Sequence, residues 1–178
     1  TKAEFSKYRG DSYIGPSIID DTVDYWVVTP YIGDIDQTRR FIDEGIWENV
    51  QDTHIERVRD MKPGDRIALR IRSAQSSGLP FDNLGHSVSK ITIRAIGTIT
   101  SNSGDGRIVL VDWEEVSSTR EWFFYTFIGN VWRLPRETST WAKMLIGFIF
   151  YGEPQDYLYF CDKWWGPTNK PDGIDTSG

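Results

Sequence analysis

The sequence has very few of the residues on which disulfides, metal sites and thiol catalysis depend. It contains one cysteine, Cys161, and two histidines, His54 and His86, in 178 residues. A single cysteine excludes a disulfide framework within the chain and is typical of a reducing compartment. The two histidines stand far from each other and from the cysteine, without the ligand spacing of a zinc site. We therefore expect no metal site.

The sequence also lacks the motifs that bind nucleotide phosphates or activate a nucleophile. No GxxxxGK[ST] loop, GxGxxG loop or GxSxG elbow occurs. Neighbouring acids such as Glu114 and Glu115 point to opposite sides of an extended chain, so they do not form a general acid/base pair. We therefore expect a binding domain without catalytic residues or cofactors, rather than an enzyme in its own right.

Long apolar runs are absent as well. No stretch approaches the roughly 18 apolar residues of a membrane-spanning helix, and the first residues lack a basic-then-apolar signal pattern. A chain of this length corresponds to about one domain and can bury a sizeable core. We expect a cytoplasmic protein that has no membrane partner.

Charge is unevenly distributed along the chain. The net charge is −6, which argues against a general nucleic-acid coat protein, because phosphate binding needs clustered cations. Residues 57–94 nevertheless contain eight basic and three acidic side chains, a local charge of +5 that leaves −11 for the remainder. This asymmetry is either a chance fluctuation or one cationic face on an acidic body.

Three parts can be distinguished along the sequence. Residues 1–22 read as an irregular arm, residues 23–165 as the folded domain, and residues 166–178 as a linker or tail rich in Gly, Pro, Asp, Thr and Ser. Within the domain a strand is followed by two helices, several strands with short turns, and a helix. That order predicts an α+β (mixed α/β) fold, in which helices pack around a small, strongly bent sheet or open barrel.

Local sequence patterns predict the first strand and the two helices that follow it. Residues 25–29 (YWVVT) are β-branched and aromatic and predict a strand that stops at Pro30. Asp34 and Gln37 form a capping-box pattern before a helix that ends at Gly45. Residues 53–56 (THIE) form a second such pattern, before a helix that Pro63-Gly64 ends.

The centre of the basic segment is a predicted strand, Arg66 to Arg72. Its residues alternate, with Ile67, Leu69 and Ile71 on one face and Arg66, Arg70 and Arg72 on the other, which predicts one buried and one solvated face. In the next strand, the same pattern places Ile91, Ile93, Ala95 and Ile99 together. Residues 73–89 form a long polar connection, and loops of this length in compact domains more often have a function than not.

The later part of the domain predicts more strands and one helix. Residues 107–113 follow a Gly-Asp-Gly turn as a strand, and residues 121–134 read as a strand pair or a bent strand broken near Gly129-Asn130. Ser139 or Thr138 caps a helix with Trp141, Leu145, Phe148 and Ile149 on one face. Eight tryptophans are an unusual number for this length, and most are expected in the core because each buries a large apolar area.

Several motifs in a fixed order resemble the EVE/YTH-type branch of the PUA-like superfamily. They are the strand Tyr25-Trp26-Val27-Val28, the helix end Gly45-Ile46-Trp47, the turn 61–66 (MKPGDR), the strand 95–99 (AIGTI) and the strand end Val111-Asp112-Trp113. With residues 78–83 (GLPFDN), 121–125 (EWFFY) and 131–134 (VWRL), the sequence is similar to the N-terminal domain of McrB-type modification-dependent restriction proteins. The resemblance covers about residues 23–160.

This resemblance implies a function in a prokaryotic type IV restriction system, used in defence against phage. Such domains turn one modified base out of its strand and hold it in an aromatic cage. The implied partner is DNA that carries N6-methyladenine, 5-methylcytosine or 5-hydroxymethylcytosine, and the residues leave the choice of base open. A AAA+ GTPase motor is expected in the same polypeptide and a nuclease subunit in trans.

The resemblance also implies the site residues. The base-binding candidates are Trp47, which matches the GxW tryptophan, Thr29, Tyr31 and Asp36 after the first strand, Phe81 and Trp132 as further cage walls, and Trp26, for which a core position is the leading interpretation. The phosphate-binding candidates are Arg66, Arg70, Arg72, Lys90 and Arg94. Two alternatives remain: an RNA-binding PUA-like module, and a protein-interaction domain in which the surplus aromatic residues form core and interface.

Overall fold

A six-stranded mixed sheet is the framework of the fold. The computed structural model describes residues 19–165, without the side chain of Ser117, so most of the predicted arm and the whole predicted linker lie outside the described residues. The strands are β1 Tyr25–Val28, β2 Tyr31–Ile32, β3 Ile35–Asp36, β4 Ile46–Glu48, β5 Arg66–Gln75, β6 Val88–Asn102, β7 Ile108–Phe123 and β8 Val131–Arg133. The helices are α1 Thr38–Glu44, α2 Ile55–Arg59, α3 Thr140–Phe150 and α4 Tyr157–Trp165, with a 3-10 turn Asp52–His54 before α2.

The sheet has the strand order β4-β7-β6-β5-β1-β8, and β2 and β3 form a separate hairpin. Strands β1 and β5 pair in parallel, and every other neighbouring pair is antiparallel. The sheet curls through 206° into a half-barrel, with four helices in the described part of the chain. The predicted α+β fold with a strongly bent sheet is therefore confirmed.

Two cores lie on opposite faces of this sheet. In β1, Tyr25 and Val27 belong to one core and Trp26 and Val28 to the other, as expected when successive side chains of a strand alternate. The α3/α4 core includes Tyr25, Val27, Ala68, Trp122, Leu145 and Phe160. The α1/α2 core includes Trp26, Val28, Phe41, Trp47, Val58 and Leu69. A strand that is buried on both faces explains why residues 25–28 are apolar without alternation.

A β-bulge in β6 divides its predicted apolar stripe between the two cores. Leu69 pairs with Ala95 and Arg70 pairs with Ile93, which leaves Arg94 as the extra, exposed residue. Ile91 and Ile93 consequently face the α3/α4 core, whereas Ala95 and Ile99 face the α1/α2 core. The prediction that these four residues share one face is wrong, because one inserted residue reverses the alternation.

The two helices predicted after β1 exist, but the predicted capping boxes do not. Residues 31–36 form the β2–β3 hairpin, and α1 begins after Gln37, which makes no side-chain cap hydrogen bond. Its end at Gly45 is confirmed, with φ of 66° in the left-handed region that glycine adopts without strain. Helix α2 likewise begins at Ile55, after the 3-10 turn, and its N-cap residue makes no side-chain bond.

The strands of the second half are longer than the sequence predicted. Strand β7 is one continuous strand where the sequence predicted two. It contains an irregularity, since Val116–Thr119 have no partner in β6 and bulge out between the pairs Ala95–Glu115 and Ile93–Arg120. Strands β5 and β6 extend into the predicted 73–89 connection and shorten it to residues 76–87. Helix α4 was not predicted from the sequence.

Candidate functional site

The strongest candidate for a binding site is a cavity at the end of β1. Its volume is about 140 Å³, the scale of a single small ring system. Three of the predicted base-binding residues, Thr29, Tyr31 and Trp47, line it together. The other lining residues are Gly33, Glu48, Asn49, Val50, Gln51 and Asn130. The cavity is therefore built from the ends of β1 and β4, the β2–β3 hairpin and the residue before β8.

Hydrogen bonds around Thr29 hold three of these segments together. The indole Nε1 of Trp47 donates to the Thr29 carbonyl at 2.9 Å, and the Thr29 amide donates to the Asn130 carbonyl at 3.0 Å. The Thr29 hydroxyl accepts from the Tyr31 amide at 3.2 Å. Trp47 is only 1% exposed and belongs to the α1/α2 core. It therefore supports the cavity wall and offers a ligand little open ring surface in this conformation.

Asn49 holds another part of the cavity lining in place. Its side-chain amide donates to the carbonyls of Gln51 and Gly106 at 2.9 and 3.1 Å, and its Oδ1 accepts from the Gln51 amide at 3.0 Å. The residue is 4% exposed, so these bonds satisfy a buried polar group. Glu48 is also committed, since Arg40 donates to its carboxylate at 2.7 Å. The hydrogen bond to Glu48 raises the pKa of Arg40.

Two amides and a phenol at the cavity have unused hydrogen-bonding capacity. The side chains of Gln51 and Asn130 and the hydroxyl of Tyr31 form no hydrogen bond with any residue that the structure describes. Each amide offers both donors and an acceptor. Such groups can bind the edge of a planar polar ligand whose ring lies beside Tyr31. Neither amide was predicted as a site residue, although Gly129-Asn130 was identified as a break between strands.

Two of the remaining base-binding candidates are engaged in structural contacts near the start of the chain. Asp36 does not line the cavity, because its carboxylate accepts from the Thr38 amide and hydroxyl at 2.9 and 2.6 Å at the start of α1. Trp26 is 1% exposed and donates from Nε1 to Asp65 at 3.1 Å. The core interpretation of Trp26 is therefore confirmed. Asp36, predicted as a base-edge contact, lies at the start of α1 and outside this cavity.

The predicted cage walls Phe81 and Trp132 lie on the other side of the sheet. Phe81 packs against Phe123 and Phe124, each with ring centroids 5.4 Å apart, at the edge of the α3/α4 core. Trp132 is stacked between Phe127 and Trp141, at 5.1 and 5.4 Å. Neither residue lines the cavity, so they do not complete a cage with Trp47.

The predicted arginine stripe shares one face of β5, but that face is covered at Arg66 and Arg70 and solvated only at Arg72. Arg66 lies over the Phe150 ring at 5.3 Å, and Arg70 is 4% exposed and donates to the carbonyls of Phe127 and Gly129. Arg72 is exposed at the end of the stripe and donates from Nε to the Thr126 hydroxyl at 3.0 Å. Arg70 is therefore excluded as a phosphate contact in this conformation, and Arg72 remains accessible.

The other predicted phosphate contacts differ from each other. Lys90 donates to Gln75 and forms an ion pair with Glu121 at 2.7 Å, so its charge is already neutralised. Arg94 is exposed and forms no hydrogen bond or ion pair with the described residues. Arg57, an exposed side chain of α2, donates to the Val131 carbonyl at 2.9 Å. That bond places a further cation next to Asn130 at the cavity.

A second cavity, of about 250 Å³, lies against the α3/α4 core. It is lined by three aromatic residues, Phe124, Trp164 and Trp165, and by His86, Ser87, Val88 and Ser89. None of the predicted base-binding residues lines it. Cys161 is on the same helix as the tryptophans, and burial raises the pKa of its thiol to about 12. The thiol therefore stays protonated near neutral pH and is a poor nucleophile.

Residues 19–165 contain no helix long and apolar enough to cross a membrane. Within the same range, no three histidine, cysteine, aspartate or glutamate side chains are grouped so that they could hold a metal ion. No protein-family model fits the chain, and no curated protein matches its sequence. The likeness to EVE/YTH-type domains therefore stays a prediction from the motifs.

Proposed function

We propose that this domain binds DNA carrying a modified base and holds that base, turned out of its strand, in the cavity between Tyr31 and Asn130. The observation that carries this proposal is the pair of unpartnered amides, Gln51 and Asn130, beside the Tyr31 ring. An amide of this kind pairs with the amino and ring nitrogens of a base edge. Adenine and cytosine both carry an amino group on this edge, at N6 and N4. The candidate ligands are therefore N6-methyladenine and 5-methylcytosine or its hydroxymethyl form.

The energies require contacts beyond the cavity. Stacking on an aromatic ring contributes roughly 1–3 kcal/mol per base, and extruding a paired base costs a few kcal/mol. Phosphate contacts must supply the remainder. Arg57, Arg72 and Arg94 are exposed and have no carboxylate partner among residues 19–165, and we assign this role to them.

The wider system follows from the sequence resemblance. We propose that the domain serves as the recognition part of a prokaryotic, cytoplasmic type IV restriction system. A AAA+ GTPase motor in the same polypeptide and a nuclease in trans would supply the enzymatic steps. No reaction is assigned to the residues of this domain.

The test is a binding panel on one short duplex with unmodified adenine or cytosine, N6-methyladenine, 5-methylcytosine or 5-hydroxymethylcytosine at the same position, with matched RNA strands. We expect tighter binding of one modified duplex than of its unmodified form. If the three exposed arginines each contact one phosphate, the logarithm of affinity should fall with the logarithm of salt concentration at a slope of about −2.7, or about −0.9 per phosphate. Equal affinity across the panel would contradict the proposal, and a preference for RNA would favour the PUA-like alternative.

A further inference from the structure

The β7–β8 loop, residues 124–130, has an unusual backbone. Phe124, Tyr125 and Phe127 have φ values of 65°, 43° and 47°, in the left-handed region that side chains other than glycine rarely adopt. Such a backbone conformation is strained and persists only where the surroundings of the residue impose it. The loop is therefore held in place by contacts outside itself.

One such contact is made by Arg70. Its Nη2 donates to the Phe127 carbonyl at 3.1 Å and to the Gly129 carbonyl at 2.5 Å, so one guanidinium binds the loop on both sides of Ile128. The guanidinium is buried without a carboxylate partner, and this desolvation, with the nearby Arg72, lowers the pKa of Arg70 to about 10. Burying an arginine in this way is costly unless its hydrogen bonds are made.

The residue that this arrangement presents to solvent is apolar. Ile128 is 80% exposed, the largest fraction among the large apolar side chains that the structure describes. It is two residues from Asn130, which lines the cavity and accepts a hydrogen bond from the Thr29 amide at 3.0 Å. Three further exposed apolar side chains, Tyr31, Ile35 and Val50, belong to the cavity lining or to its hairpin.

We infer that Ile128 is the wedge of the base-extrusion step: it enters the base stack and occupies the place that the target base leaves. Apolar side chains inserted between base steps unstack them and stabilise the distorted duplex. Arg70 acts as a positioning residue, since it fixes the two carbonyls that flank Ile128. This inference rests on the proposed function and adds the residue that makes a paired, rather than a single-stranded, target accessible.

The test compares Ile128→Ser with wild type and with Leu84→Ser. Leu84 is a matched control, because it is 45% exposed on the loop that carries Phe81, which packs on the α3/α4 core. Affinity is measured for a modified base in a fully paired duplex, opposite a mismatch, and in single-stranded DNA. A 2-aminopurine next to the target base reports its unstacking by fluorescence.

For Ile128→Ser we expect at least roughly tenfold weaker binding of the paired duplex, about 1.4 kcal/mol, with reduced 2-aminopurine fluorescence. Binding of single-stranded DNA should change less than threefold or so, since no base pair has to be opened there. Leu84→Ser should match wild type on every substrate. An unchanged duplex affinity, or an equal loss on single strands, would overturn the wedge while leaving the proposed function standing. No preference for modified DNA in the wild type would overturn both.

Discussion

The hydrogen bonds of Asp65 explain the structural role of the MKPGD motif. It ends the MKPGD motif and is 1% exposed, and its carboxylate accepts from the Asp24 amide at 3.0 Å, the Trp26 indole at 3.1 Å and the Lys62 amide at 3.0 Å. These bonds join the turn before β5 to the start of β1. The motif therefore marks a feature of the fold, and its presence alone does not indicate a ligand.

Trp47 is the residue whose role the structure changes most. If Trp47 were an open cage wall, Trp47→Ala would leave the fold intact and remove selectivity, whereas a core residue would destabilise the domain when truncated. With 1% exposure in the α1/α2 core, we expect a loss of about 3–5 kcal/mol in the free energy of unfolding, as for other large aromatic truncations. Urea denaturation followed by intrinsic fluorescence measures it.

Val50→Ala is the matched control for this measurement, because Val50 lines the same cavity but is 52% exposed. Its effect should stay within about 0.5 kcal/mol, as for most surface changes. If Trp47→Ala were as stable as Val50→Ala, the indole would not be a core residue. The result would then favour the interpretation of Trp47 as an open wall of the aromatic cage.

At the scale of elements, the sequence predicted which segments are strands better than which face each residue occupies. The alternation in β5 correctly placed Ile67 and Leu69 together in one core. It could not show that the β7–β8 loop covers the arginine face, because that cover comes from residues more than 50 positions away. The bulge at Arg94 could not be predicted either, because one inserted residue does not change the composition of the strand.

Asp24 joins three elements and gives the fold a pH dependence. Its carboxylate accepts from Arg133 at 2.8 Å, Lys62 at 3.0 Å and Arg136 at 3.3 Å. Burial alone would raise the pKa of Asp24, but the hydrogen bonds from Arg133 and Lys62 outweigh it and lower the pKa to about 2. A carboxyl whose pKa is lower in the folded state stabilises the fold above its unfolded pKa near 4, and this contribution is lost as pH falls towards 2.

The prediction concerns the difference in unfolding free energy between wild type and Asp24→Asn. At pH 7 the wild type should be more stable by up to about 2 kcal/mol, given that one pKa unit corresponds to about 1.4 kcal/mol. The gap should close between pH 4 and pH 2 in denaturant titrations. A gap that is independent of pH would show that the carboxylate charge does not hold these elements together.

At the scale of the whole molecule, the sequence predicted the fold class but only part of the site. Thr29, Tyr31 and Trp47, three of the predicted base-binding residues, line one cavity. Phe81 and Trp132 lie across the sheet, since exposed and buried aromatic residues look alike in a sequence. The amides Gln51 and Asn130 come from segments almost 80 residues apart, and only the curl of the sheet brings them together.

The measurement that tests the account most directly is the affinity ratio between the preferred modified duplex and its unmodified form. For Gln51→Ala combined with Asn130→Ala we expect this ratio to fall close to one, because both amides that bind the base edge are gone. The exposed variant Thr100→Ala should keep the wild-type ratio. If the double variant kept the wild-type ratio while Trp164→Ala lost it, the base would lie in the aromatic cavity beside α4, and the assignment to the Tyr31 cavity would be wrong.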